Sequence, residues 1–267
     1  MTAKELRLSG SHALARFSPT PELDSELLLA HALHCTREDL LVHPDQKILG
    51  PSKFLQFIEQ RRCGMPIAYI IGNKEFYGRK FLVSPDVLIP RPDTETLIDV
   101  ALDWIDTHQI TSVADIGTGS GCIAVTLACE RPNLHIFATD ISNNALMLAH
   151  QNAQLYHVEN RIRFRQGDGM NALSSIPDLV VSNPPYLSRG WKPNPSIQFE
   201  PDVALYAKKH GMQLATELIE QCPCPLILEF DPRNVKRINA VAATNNKTAT
   251  IYNDLARRPR VSVITAL

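Results

Sequence analysis

"ADIGTGSGCIAV", residues 114–125, constrains the fold of this chain more than any other stretch. An apolar strand runs into Gly117, Gly119 and Gly121, and an apolar helical pattern follows. Glycines let a backbone turn sharply and approach a ligand without a Cβ clash. The helix behind them offers its free N–H groups and positive end to whatever sits there. "SVADIG", "HIFATD", "IRFRQGD", "DLVVSN" and "PLILEF" are short apolar or β-branched runs, and helical patterns such as "CIAVTLACE" and "NNALMLAHQNAQLY" separate the first three. That alternation predicts an α/β fold with a parallel sheet and helices on both faces. "TATIYND" and "RVSVITAL" add two more strands. Ligands of open α/β sheets sit at the carboxyl ends of the strands. Asp140, ending "IFATD", can therefore accept both hydroxyls of a ribose, and Asp168 in "QGDG" can reach an adenine amino group, with Gly169 leaving room for the ring.

Residues 1–70 read differently. "TPELDSELLLAHALHC" offers Thr20 as N-cap and Pro21 at the first helical position. Thr36 and Asp39 form a capping pair for "TREDLLV", and Phe54, Phe57 and Ile58 share one face of a helix that stops at Gly64. This is a small helical bundle with no catalytic cluster. Residues 71–92 read as a hairpin around Gly78 and a linker, in which "LIPRP" cannot be helical. Asp93 is placed to cap the next helix, so the α/β domain is expected over 93–267.

The ligand can be narrowed from the spacing of the glycines. A dinucleotide loop reads G-x-G-x-x-G, but counting from Gly117 the last glycine is replaced by Cys122. The pattern D-x-G-x-G-x-G resembles the loop of S-adenosylmethionine-dependent methyltransferases. Asp115 is placed to brace it, with Thr118 and Ser120 between the glycines. A carboxylate-rich pocket suits a cationic sulfonium and disfavours a diphosphate.

"VVSNPPYLSRG", residues 180–190, ends the fourth strand on the same sheet edge. Its prolines fix φ and bias Asn183 towards extended geometry. A planar NH₂ on an sp² carbon is a poor nucleophile because its lone pair is delocalised. The Asn183 side-chain oxygen and the Pro184 carbonyl could grip its hydrogens, with Pro185 stiffening the turn and Tyr186 stacking on the group. Such dipoles stabilise the positive charge that grows on the nitrogen. The planar NH₂ could be adenine N6, cytosine N4, guanine N2 or the carboxamide of Asn or Gln.

Composition excludes several classes. The net charge of −1 argues against stable nucleic-acid binding. No apolar run approaches the roughly 20 residues of a membrane helix, and the first residues carry no signal h-region. Six scattered cysteines suit reduced thiols in the cytoplasm or an organelle matrix. "CPC" at 222–224 lacks a second pair at metal-ligand spacing, so no metal is expected.

Taken together, "IPRPDTE" (89–95), "DIGTGSG" (115–121), "TD" (139–140), "NPPY" (183–186), "FEP" (199–201) and the final "RPRVSV" resemble the HemK-type (PrmC) protein-(glutamine-N5) methyltransferases, which act on peptide chain release factors. The resemblance implies a seven-stranded, mostly parallel, Rossmann-like class I methyltransferase sheet behind an N-terminal helical substrate-docking domain. It implies S-adenosylmethionine as donor, S-adenosylhomocysteine as product, and the glutamine of a Gly-Gly-Gln loop in a release factor as acceptor. Asp115, Gly117 to Gly121, Asp140, Asp168, Gly169 and Asn183 would form the cofactor site. Asn183 to Tyr186 would grip the glutamine, with Arg91 and Glu95 lining or bracing the pocket. The chain departs from the family at Gly169, where a bulkier residue is usual, at "LEFD", which keeps Glu229 but loses a glycine, and at "AKKHGMQ", which keeps only Gly211. A nucleic-acid amino methyltransferase would share the Asn-Pro-Pro-Tyr grip but should carry a basic groove. A nicotinamide oxidoreductase would need the glycine that Cys122 replaces, and a non-catalytic cofactor binder would not need Asn183.

Overall fold

The structure is a computed structural model that describes residues 1–187, 195–207 and 211–267. The chain divides into two compact units.

The first comprises Met1–Asn73 and takes in the short turn Pro195–Phe199. Its helices are α1 (Ala3–Leu14), α2 (Pro21–Leu33), α3 (Arg37–Val42), α4 (Ser52–Arg62) and α5 (Ile67–Ile71). Leu6, Leu14, Leu28, Leu29, Phe54 and Ile58 form its core. A Cβ at Gly10 would fall 2.3 Å from the Ser25 hydroxyl, so glycine permits the close approach of α1 and α2. Thr36 and Asp39 form a reciprocal capping box at α3. Thr20 occupies the N-cap position of α2 without capping it; its hydroxyl donates to Asp24 instead. Asp24 also accepts from Ser18 and, at 2.7 Å, from the buried Arg61 guanidinium.

The second unit starts at Lys74, within the first strand of a hairpin formed by β1 (Asn73–Phe76) and β2 (Arg79–Leu82). Tyr77 and Gly78 both have positive φ, the signature of a two-residue type I′ turn whose twist matches the strands. The elements that follow are α6 (Glu95–His108), β3 (Ser112–Ile116), α7 (Cys122–Glu130), β4 (His135–Asp140), α8 (Asn143–Leu155), β5 (Ile162–Gln166), β6 (Leu179–Ser182), α9 (Asp202–Leu205), α10 (Gln213–Gln221), β7 (Leu226–Glu229), α11 (Val235–Thr244), β8 (Lys247–Asn253) and β9 (Pro259–Ala266). The sheet has seven strands in the order β5-β4-β3-β6-β7-β9-β8. It is parallel from β5 to β7, and β9 runs antiparallel to both β7 and β8. The expected mostly parallel sheet is therefore present. Its strand order reverses between β3 and β6, the switch point where such sheets bind ligands.

Apolar layers cover both faces of the sheet. One joins Leu97, Ile98 and Ala101 of α6 to Ile123 and Leu127 of α7, with Phe76 and Phe81 of the hairpin packed in. Residues expected as a linker thus contribute core to this unit. The other layer gathers Leu218 and Ile219 of α10, Phe230 after β7, and Ile238 of α11. Asp93 does not cap α6: the helix starts at Glu95 with Thr94 before it and no side-chain cap. Asp93 instead pairs with Arg260 at 2.8 Å; the fixed charge outcompetes the helix amides. Among the described residues no helix is long and apolar enough to cross a membrane.

Asp24→Ala would strand the Arg61 charge in the first unit. The expected cost is about 3–5 kcal/mol, read as a lowered urea midpoint of the helical signal.

Candidate active site

Three glycines shape the loop between β3 and α7, each for a physical reason visible in the structure. Gly117, Gly119 and Gly121 all have positive φ, a conformation that costs other residues strain. A Cβ on Gly121 would lie 2.9 Å from that of Ala149, so this glycine also lets the loop sit on α8. Around Gly117 and Gly119 a Cβ would meet nothing within 4 Å; their backbone faces open space. The loop is pinned from outside. Gly117 and Thr118 amides donate to the Thr139 carbonyl at 2.9 and 2.8 Å, and Asn152 donates to the Ser120 carbonyl at 2.8 Å. Asn152 also exchanges two hydrogen bonds with the Leu82 backbone, tying loop and hairpin to α8.

Asp115 is fully buried beneath this turn. It accepts from the Thr118 hydroxyl at 2.6 Å and the Ala124 amide at 3.2 Å. Burial pushes its carboxyl up to about 7, against the pull of those two donors. Asp140 ends β4 and faces outward. One oxygen accepts from the Gly119 amide and the other from the Ser142 amide, both at 2.9 Å. Each oxygen keeps a further lone pair. Burial raises its pKa as well, partly offset by those amides.

These elements enclose a cavity of about 520 Å³ at the carboxyl ends of the parallel strands, a size suited to a nucleoside-bearing ligand. Gly117 to Ser120, Asp140, Asp168, Gly169, Asn183, Pro185 and Arg91 line it. A Cβ at Gly169 would meet only Leu214, at 3.7 Å, so the side-chain-free position leaves room for a flat ring. Asp115 and Gly121 lie behind the wall as braces.

The proline segment follows β6. Asn183 donates through Nδ2 to the Thr94 hydroxyl at 3.1 Å. Its Oδ1 is buried and has no hydrogen-bond partner among the described residues. Buried acceptors are rarely left so. Pro184 is buried and Tyr186 half-buried, and neither belongs to the described cavity wall, contrary to the expected stacking lid. Burial, and then the Glu229 carboxylate, push the Tyr186 phenol up to about 12. The segment's last expected residues, 188–190, and the Lys208 to His210 part of "AKKHGMQ" lie outside the described residues.

The structure re-sorts two further expectations. Arg91 does line the cavity, and its charge partner is Glu200. Glu200 also accepts from the Ile89 amide at 3.0 Å, so the "FEP" and "IPRP" segments clamp each other. Glu95 is not among the described lining residues. It accepts from the Tyr77 amide at 2.9 Å and braces the hairpin turn. Cys222 and Cys224 thiols lie 3.5 Å apart, and no group of three or more metal-ligating side chains occurs among the described residues.

Comparison with known proteins places this geometry. Residues 5–72 match the PrmC N-terminal domain, and residues 94–197 match the methyltransferase small domain. A release factor glutamine methyltransferase of Koribacter versatilis is 40% identical over 217 residues, covering 79% of this chain and 77% of its own. One from Deinococcus radiodurans is 33% identical over 272 residues and 97% of both chains. The chain belongs to the release factor glutamine methyltransferase family. In fold alone it is similar to a ribosomal protein L11 methylase of Lactobacillus delbrueckii subsp. bulgaricus, with TM-score 0.50 and 20% identity over 66% of this chain and 80% of that one. As a member of this family it is an S-adenosylmethionine-dependent methyltransferase.

Four residues of this family member escaped the sequence reading: Thr94, Asn152, Glu200 and Glu229. Glu200 and Glu229 were visible in "FEP" and "LEFD" but without a role. Thr94 lay inside "IPRPDTE" without a role, and Asn152 stands alone in helical sequence with no local signal.

Asp140→Ala removes the acceptor for two loop amides and the predicted ribose contact. The expected result is at least about a tenfold rise in the Kd for S-adenosylhomocysteine by calorimetry; an unchanged Kd would remove Asp140 from the donor site.

Proposed function

We propose that this chain methylates the side-chain amide nitrogen, N5, of the glutamine in the Gly-Gly-Gln loop of a peptide chain release factor, and so tunes translation termination. One observation carries the reading: Asn183 lines the cavity beside the glycine loop, held by its Nδ2 bond to Thr94, and its Oδ1 has no hydrogen-bond partner among the described residues. Its polarity demands an N–H donor, which a primary carboxamide supplies. When bound, S-adenosylmethionine supplies an electrophilic methyl carbon on a sulfonium.

The protein's share is positioning and electrostatics. Gly117 to Ser120 cradle the donor with backbone that no Cβ crowds, Asp140 takes the ribose, and Asp168 and Gly169 border the base. Asn183 Oδ1 accepts one hydrogen of the glutamine NH₂. The Pro184 carbonyl is the candidate for the other. Gripping both hydrogens turns the nitrogen lone pair towards the cavity and stabilises the positive charge that develops there. No strong base is needed, because the nitrogen becomes acidic only as it alkylates. Tyr186, with its phenol near 12, is unsuited to that role. Arg91, held by Glu200, and Pro185 shape the entrance. Residues 1–70 serve to hold the release factor, and such a substrate places the reaction in the cytoplasm or an organelle matrix.

Incubation with a release factor and the methyl donor, followed by mass spectrometry of the Gly-Gly-Gln peptide, should show one added methyl on glutamine. Transfer to a nucleic-acid base instead would favour the rival amino methyltransferase. Asn183→Ala should lower kcat by about 100-fold or more with near-normal donor binding; wild-type turnover would refute the gripping role.

A further inference from the structure

Two thiols meet where α10 gives way to β7. Cys222 and Cys224 flank Pro223, and their sulfurs lie 3.5 Å apart. Cys222 is buried, only 1% exposed, whereas Cys224 is half-buried. The Cys222 thiol donates to the Cys224 carbonyl at 3.2 Å, so the contact between the sulfurs runs from the Cys224 S–H to Cys222. The two side chains therefore return to the same side of a chain whose φ is fixed at the proline between them. Both residues precede β7 at its amino end, and neither lines the cavity at the carboxyl ends of the strands. Nothing in the proposed methyl transfer uses them.

A positive charge is fixed beside the pair. Lys247 Nζ donates at 2.6 Å to both the Ile219 and the Cys222 carbonyls. Its first service is to satisfy carbonyls at the end of α10, but the ammonium is thereby held next to Cys222. A nearby cation favours the thiolate, which is the reactive form of cysteine. The Cys224 S–H pulls the Cys222 pKa below the usual thiol value against the cost of burial, and Lys247 adds to that pull. The same hydrogen bond pushes Cys224 up. The pair thus gives up one proton readily, and the one that remains can pass across the S–H···S contact.

We propose that Cys222 and Cys224 form a reversible redox site, which a hydroperoxide oxidises to an intramolecular disulfide. Cys224 is the sulfur that a peroxide reaches from solvent. Its sulfur, having passed its proton to Cys222, attacks one peroxide oxygen. The O–O bond breaks, and the departing oxygen takes up a proton and leaves as water or alcohol. Cys224 is left as a sulfenic acid. Cys222, already in contact, then attacks that sulfur. The S–S bond forms, the S–O bond breaks, and the hydroxyl leaves with the Cys222 proton as water. Two electrons have passed from the thiol pair to the peroxide. The contact distance has to close from 3.5 Å to about 2.05 Å. A ring closed across one intervening residue is strained, and strained disulfides are the labile, readily reduced ones. The site therefore returns to the dithiol when a small thiol reductant is present, and the nearby partner keeps Cys224 from the irreversible steps of oxidation.

The test treats the reduced full chain with a small excess of hydrogen peroxide, blocks free thiols with N-ethylmaleimide, and maps the peptides by mass spectrometry. The peptide carrying Cys222 and Cys224 should be lighter by two hydrogens and take up no maleimide. Dithiothreitol should restore two alkylatable thiols in it. Cys222→Ser removes the second sulfur, so Cys224 should then stop at a sulfenic acid that dimedone traps, or go on to sulfinic acid. Cys224→Ser should leave Cys222 as a free thiol under the same treatment. Binding of S-adenosylhomocysteine checks the fold of each variant, and if Cys222→Ser fails it, the wild-type map and Cys224→Ser carry the test. Wild-type protein that keeps both thiols while the exposed Cys63 is oxidised overturns the inference. So does sulfinic acid at Cys224 without the disulfide, or a disulfide that joins either residue to another cysteine instead. None of these results touches the methyl-transfer reading, because the site stands apart from the cavity.

Discussion

A single hydrogen bond sets the polarity of this site. Asn183 donates to Thr94, and its carbonyl oxygen has no partner among the described residues. An unsatisfied buried acceptor costs about 1–3 kcal/mol. The surrounding architecture holds Asn183 in place: prolines that fix φ follow it, and the Thr94 hydroxyl accepts from its Nδ2.

The sheet brings these groups together. β3 and β6 are neighbours with matched register at Val113↔Leu179 and Asp115↔Val181, so the glycine loop and the Asn-Pro-Pro-Tyr segment leave the same edge side by side. β7 follows β6 in register and delivers Glu229 next to Asn183. The Asn152 side chain and the Asp140 carboxylate then fix the loop from α8 and β4. The donor-side carboxylates differ in duty. Asp115 is buried and braces the turn, whereas Asp140 holds two amides and still faces the cavity. Both would be read simply as acidic residues near a glycine loop, yet burial and hydrogen bonds separate their roles.

Much of the fold was legible because its signals are local and contiguous. The strand runs, the glycine loop and the turn at Gly78 each state their conformation within a few residues. The limits of that reading are equally physical. Asp93 looks like a cap in sequence, but Arg260, far along the chain, pairs with it instead. Glu95 sits in a motif with Arg91, yet one side chain reaches the cavity and the other turns to the Tyr77 amide. Tyr186 reads as a lid over the substrate, yet it is half-buried and does not line the described cavity. Asn152 matters through partners that no local pattern encodes, since it ties the glycine loop to a hairpin 70 residues before it in sequence.

The central claim is that the Asn183 oxygen, not its NH₂, meets the substrate nitrogen. A crystal structure of the enzyme with S-adenosylhomocysteine and a peptide carrying N5-methylglutamine tests it, because the methyl group marks which end of the substrate amide is nitrogen. The account predicts that marked nitrogen about 2.9 Å from Asn183, with Thr94 on the far side of the asparagine amide. A methylated nitrogen pointing away from Asn183, or the glutamine carbonyl oxygen in its place, would contradict it.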